Sequence, residues 1–195
     1  MTGSRRFSQA IAEGDGISIV VPAADPETAR AAEDAGAEAL AIHRAAPALR
    51  EATSLPLLWR PHAPPSEARA ADADAVVLVY AELDGDDGSL EQAHREALDL
   101  GLECAIEVRN EEELAAALER VDPEIFLLAG GDGDDGPVER ALDLLQDVPA
   151  GKLAIADLSV RGRDEVAELE RAGMDAVIVP GGNVAELVGG NVPDV

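Results

Sequence analysis

Aromatic residues are almost missing from this chain: two Phe, one Tyr and one Trp in 195 residues. Apolar residues still make up 47%, so a sizeable core is possible, but it must be built from Ala, Val, Leu and Ile. Positive charge is scarce too, with 15 Lys and Arg against 40 Asp and Glu and a formal net charge of −25. That balance excludes a nucleic-acid partner, whose phosphates need clustered Lys and Arg, and an anionic membrane surface. No apolar run approaches the roughly 18–20 residues of a membrane span. Arg5 and Arg6 near the N-terminus are not followed by the apolar core of a signal segment. The single cysteine, Cys104, excludes an internal disulfide framework and a multi-cysteine zinc site. These absences predict a cytoplasmic protein with a small-molecule substrate and with no cofactor or metal. The length predicts one domain over residues 1–195.

Lysine is the rarest charge. Lys152 is the only one, and arginine supplies the rest. Abundant acid with almost no lysine suits high salt, where self-repulsion is screened. A GC-rich genome would favour the same composition, and the sequence leaves both causes open.

One phrase recurs along the chain. Ile17 to Val21 is a short β-branched strand, closed by Pro22. Asp25-Pro26 then reads as an N-cap and first helical residue, and Gly36 as the helix stop. From there Gly36-Ala37-Glu38-Ala39-Leu40 leads into a second strand. Asp72-Ala73-Asp74-Ala75-Val76, Gly101-Leu102-Glu103-Cys104-Ala105 and Gly173-Met174-Asp175-Ala176-Val177 do the same. Further strands are predicted over 56–60, 124–129 and 152–157. Helices are predicted near 46–52, 66–71, 89–100, 111–120, 137–146 and 163–172, with Ser89 and Asn110 as N-caps. A weak last helix covers 184–188. Recurrence of one unit marks a repeated βα architecture. The strands are continuous apolar runs, as in parallel sheets covered by helices. Eight such units predict a small (β/α)8 TIM barrel, with an open doubly wound sheet as the alternative.

In such a barrel the chemistry lies at the C-terminal strand ends. Those ends carry His43, Arg60, His62, Glu107, Arg109 and Asp157. Glu107 interrupts the apolar run Cys104-Ala105-Ile106-Glu107-Val108, where a carboxylate is costly unless it is paired or used. An ion pair to Arg60 or Arg109 is the structural alternative. Asp157 follows Ala154-Ile155-Ala156 in the same way, with capping of the next turn as its alternative. His43 and His62 have the acid–base range. Gly181-Gly182 opens the last helix, where backbone N–H groups can cradle a phosphate. The segment Asp-Gly-Asp-Asp-Gly occurs at 84–88 and again at 132–136. These read as solvated acidic turns favouring the next helix, or as oxygen-rich cation sites without the spaced Glu of an EF-hand.

The chain resembles indole-3-glycerol-phosphate synthase, a (β/α)8 lyase of tryptophan biosynthesis. The resemblance is carried by Ser54-Leu55-Pro56-Leu57-Leu58 and by the run from Glu67 to Val76. It continues in Gly101 to Leu114 and in the stretches Asp164 to Leu169 and Ala176 to Val179. It implies a sugar-phosphate substrate that closes a ring and loses carbon dioxide and water. It implies Glu107 as the retained glutamate after strand 5, Arg60 where the family has a general-acid lysine, and Asp157 where it has a glutamate. Ser159, Gly181, Gly182, His43, His62 and Arg109 are then the substrate-binding candidates, with Glu107, Arg60 and Asp157 catalytic. Much else is replaced. Val20-Val21-Pro22 stands for the family's Glu-Ile-Lys, with no Ser-Pro-Ser-Lys-Gly loop after it. Ala129 stands for an Asn, Gly131 for an Arg and Pro180-Gly181 for a Gly-Ser phosphate contact. About four residues after strand 3 are missing. Of the family's N-terminal helical extension only the end, Phe7 to Ile11, has a counterpart. The resemblance thus implies a family lyase with activity reduced or lost. A non-catalytic binding barrel, or a barrel lyase or isomerase acting on another substrate through His43 or His62 with Glu107, are the other readings.

Overall fold

The computed structural model describes residues 7–13, 16–85, 88–129, 136–158, 160 and 162–179. Eight parallel strands close into a barrel in the order β1 to β8. They are β1 (Ser18–Pro22), β2 (Ala39–Ile42), β3 (Leu57–Trp59), β4 (Ala75–Val79), β5 (Glu103–Val108), β6 (Ile125–Ala129), β7 (Leu153–Asp157) and β8 (Ala176–Ile178). The (β/α)8 expectation holds and the open sheet is excluded, because β1 pairs with both β2 and β8.

Helices alternate with the strands: α2 (Pro26–Asp34), α3 (Pro47–Arg50), α4 (Pro65–Ala70), α6 (Ser89–Asp99), α7 (Glu111–Arg120), α8 (Pro137–Leu145) and α9 (Arg163–Ala172). Two more flank the pattern, α1 (Phe7–Ala12) before β1 and the single turn α5 (Tyr80–Leu83) after β4. The weak helix expected at 184–188 lies outside the described residues. Asp25 and Asn110 cap as expected, their side chains accepting the Thr28 and Glu113 N–H groups. Ser89 does not cap. Gly88 takes that position, and the Ser89 hydroxyl instead donates to the Leu83 carbonyl at 2.7 Å. The turn α5 brings that carbonyl within reach, and nothing in the apolar periodicity announced it.

The recurrent phrase has a physical cause in two parts. Its first residue, Gly36, Asp72, Gly101 or Gly173, has positive φ and ends a helix. The next N–H then reaches back five residues, as from Ala37 to the Ala32 carbonyl at 3.0 Å and from Leu102 to that of Ala97 at 2.9 Å. The acidic residue that follows clasps the preceding strand. Glu38 donates its N–H to the Ile19 carbonyl at 3.0 Å and accepts the Ile19 N–H on its carboxylate at 2.8 Å. Asp74 does the same to Leu57, and Asp175 to Ala154. Each carboxylate thus satisfies an N–H at the start of β1, β3 or β7 that would otherwise be buried without a partner.

Glu103 serves a different partner. It accepts the Ser8 N–H at 3.0 Å and also the Ser8 hydroxyl, tying α1 to the start of β5. Phe7 and Ile11 of α1 are fully buried and pack among the inward-facing strand residues. That inner set alternates with a period of two: Ala39 and Ala41, Ala75, Val77 and Val79, Ile125 and Leu127, Ala176 and Ile178. Many of these residues are alanine, so the barrel interior is filled with little bulk. One of the chain's few aromatics, Phe7, closes its N-terminal end.

Candidate active site

Continuing each inward alternation to the C-terminal strand ends puts His43, Arg60, Glu107, Ala129 and Asp157 on the barrel's mouth. Arg60 follows β3 and Asp157 ends β7. These strands are four apart in a ring of eight, so they face each other across the barrel. Their side chains meet. The Arg60 guanidinium donates from Nη1 to Asp157 Oδ1 at 3.1 Å and from Nη2 to Oδ2 in a second, shorter bond. The side chains are only 16% and 25% exposed. This fork-on-carboxylate geometry is the strong form of an ion pair. Asp157 therefore spans the mouth, and among the described residues the partner of Glu107 is Arg109 and not Arg60.

Glu107 pairs with Arg109 at 3.3 Å, one of the two alternatives that the sequence left open. Its side chain is 12% exposed against 44% for Arg109, so the carboxylate lies inside the mouth and the arginine on the rim. The Arg109 N–H is held by the Glu113 carboxylate at 2.8 Å, which orders the turn into α7. Arg109 also lines a surface cleft of about 430 Å³ with Asn110, Arg140 and Asp143. Nothing in the spacing of residues pairs Arg140 with this region, because α8 follows a different strand.

His43 feels both members of the cross-mouth pair. Its pKa is lowered by partial burial and by the Arg60 charge, while the Asp157 carboxylate opposes the shift. The imidazole is thus held neutral near pH 7, available as an acceptor. His62 belongs elsewhere. Its Nδ1 contacts the Glu82 carboxylate, and it lines a cavity of about 380 Å³ with Pro65, Leu78, Leu83, Gln92 and Glu96. That cavity lies between β4 and the helices α4 and α6, so His62 is not grouped with the Arg60–Asp157 pair. Sequence reasoning missed Glu82, which sits in the unforeseen turn α5.

Ser159, Gly181 and Gly182 lie outside the described residues, as do 132–135 of the second acidic segment. In the first segment Asp84 already has partners, the Tyr80 hydroxyl at 3.0 Å and Arg120 at 3.3 Å. Arg120 also holds Glu91 at 2.8 Å and lies over the Tyr80 ring. Among the described residues no cluster of three His, Cys, Asp or Glu is placed to hold a metal, and no helix is long and apolar enough to cross a membrane. Cys104 is buried, and burial pushes its thiol up to about 12, so it is a core residue and not a nucleophile.

The family model of indole-3-glycerol phosphate synthase matches residues 65–183. The chain belongs to the indole-3-glycerol phosphate synthase family. It is 33% identical over 141 residues to the synthase of Acidithiobacillus ferrooxidans, covering 68% of this chain and 51% of that one. The Nocardioides sp. synthase is 36% identical over 140 residues, covering 68% and 52%. The chain spans about half the length of these curated relatives. Solved structures with the same fold include N-acetylmannosamine-6-phosphate 2-epimerase from Clostridium perfringens, with a TM-score of 0.70 at 14% identity over 87% of both chains. A mutant tryptophan synthase alpha-subunit from Pyrococcus furiosus gives 0.63 at 13% identity, over 87% of this chain and 88% of that one. At such identities these two share the fold alone, and a barrel fold does not fix a chemistry.

Proposed function

We propose that this family member binds a small anionic substrate at the C-terminal mouth, and that the ring closure, decarboxylation and dehydration of its relatives are reduced or lost. The observation that carries the reading is the Arg60–Asp157 pair across the mouth. By resemblance, Arg60 stands where the family has a general-acid lysine. A guanidinium stays protonated and is a poor proton donor near neutral pH. Here it is also held by a carboxylate, with which an entering anion must compete. Loss of a general acid costs about 10²–10⁴ in rate. Glu107, half-secured by Arg109 at 3.3 Å, remains as a base, so residual turnover would pass through it. A sugar phosphate is the substrate class the family suggests, with Gly181 and Gly182 as its phosphate contacts. A single domain over 1–195 and a cytoplasmic location complete the proposal.

The test is to incubate the purified protein with carboxyphenylamino-deoxyribulose phosphate and follow indole fluorescence, at low and at molar salt. Slow turnover at either salt, removed by Glu107→Gln, agrees with the reading. Fast turnover that is insensitive to Arg60 and Glu107 substitutions would place the chemistry elsewhere and overturn it.

A further inference from the structure

We propose that Arg60 is a carboxylate-binding site occupied by the protein's own Asp157, and that Asp157 sets the ligand class by competing for it. This rests on the reading that the mouth is the binding site, and it goes on to name the chemistry bound there.

Both Nη atoms of Arg60 are engaged by the two oxygens of one carboxylate, at 3.1 Å for the first bond. A planar fork is thereby already shaped for a planar, two-oxygen anion. Arg60 follows β3 and Asp157 ends β7, on opposite walls. The carboxylate reaches Arg60 across the open end, from the side on which a ligand would have to bind. An entering carboxylate can take the same two donors while Asp157 withdraws toward its own wall. The exchange replaces one monoanion with another, so the charge on Arg60 remains balanced.

A dianion fares worse. Once displaced, Asp157 is a free carboxylate in the same mouth, and Glu107, only 12% exposed, is a second. Arg109 answers Glu107 from the rim at 3.3 Å, and Arg44, exposed beside His43, acts on Asp25, so each of these described cations already has a carboxylate to balance. The mouth therefore selects a monocarboxylate group over a phosphate at Arg60. In this role Asp157 determines specificity and is not catalytic.

The experiment uses acetate, which copies the Asp157 side-chain terminus, and inorganic phosphate as the alternative, at matched ionic strength. Asp157→Ala vacates the fork. Acetate is expected to raise the thermal midpoint of this variant saturably, with an apparent affinity at least about tenfold that for the intact protein, since an internal competitor has been removed. In the intact protein phosphate is expected to bind more weakly than acetate, and in Asp157→Ala that preference is expected to shrink. Adding Arg60→Gln to Asp157→Ala is expected to abolish the acetate response. An acetate response that survives Arg60→Gln, or is no larger than in the intact protein, overturns the proposal, and tighter binding of phosphate than of acetate by the intact protein overturns the ligand class. If Asp157→Ala does not fold, the intact chain is titrated with acetate while the guanidinium signals of arginine are followed by NMR. One set, absent from Arg60→Lys, is then expected to shift, and no shift at all contradicts the proposal. Neither arm measures turnover, so failure here leaves the rate test of the proposed function standing.

Discussion

Both ends of this barrel carry carboxylates, but they are bonded to different things. At the N-terminal end Glu38, Asp74 and Asp175 accept backbone N–H groups of the neighbouring strand, all at 2.8 Å. At the mouth Glu107 and Asp157 are bonded to the arginine side chains of residues 109 and 60. A backbone donor is fixed by the sheet and cannot be exchanged without unravelling the strand. A side-chain donor can turn toward a ligand. The difference separates acid spent on stability from acid available for function, in a chain where acidic residues alone would mark neither.

The largest effect should come from the closed end. Phe7→Ala removes the only aromatic side chain of the inner cluster and should cost about 3–5 kcal/mol in denaturant unfolding. A loss below 1 kcal/mol would mean that α1 does not close the barrel. Next, Asp74→Ala deprives the Leu57 N–H and Arg50 of a shared acceptor. It should cost about 1.5–3 kcal/mol, as expected for a hydrogen bond to a charged group. The mouth should be more forgiving. Asp157→Asn should cost about 1 kcal/mol, since the amide oxygen still accepts from Arg60 and one hydrogen bond of the fork is lost. A mouth variant more damaging than Asp74→Ala would erase the contrast between the ends.

Two smaller effects sharpen it. Cys104, with its thiol pushed up to about 12, should resist thiol reagents at pH 8 in the native protein and react fully once unfolded. Glu91 is lowered to about 2, first by its hydrogen bond from Arg120. Its folded-state pKa is below the ordinary 4.5, so its contribution is complete above that value and lost as pH falls toward 2. Glu91→Gln should therefore flatten the acid limb of a stability profile. An unchanged limb would show that other carboxylates control it.

The barrel was legible because its cause is local. A positive-φ helix stop, one small or apolar residue and an acidic clasp repeat within five residues, so the phrase can be read without knowing the fold. Asp25 and Asn110 were legible for the same reason. The mouth was legible only as a set of strand ends. The partnering of Arg60 with Asp157 joins positions 97 apart, and it follows only once strands β3 and β7 are known to be opposite. With inward alternation and a ring of eight the pair could have been named. The contact between His62 and Glu82 could not, since α5 is a single turn with no periodic signal.

Central to this account is a mouth whose cation is already satisfied. The most direct measurement is kcat for carboxyphenylamino-deoxyribulose phosphate under saturating substrate. A typical enzyme turns over at about 10 s⁻¹, and a missing general acid lowers that by about 10²–10⁴. With the cation held by Asp157, kcat should lie below about 0.1 s⁻¹ and fall to background in Glu107→Gln. A value above about 1 s⁻¹ in the unaltered protein, with Arg60 still bound to Asp157, would contradict it.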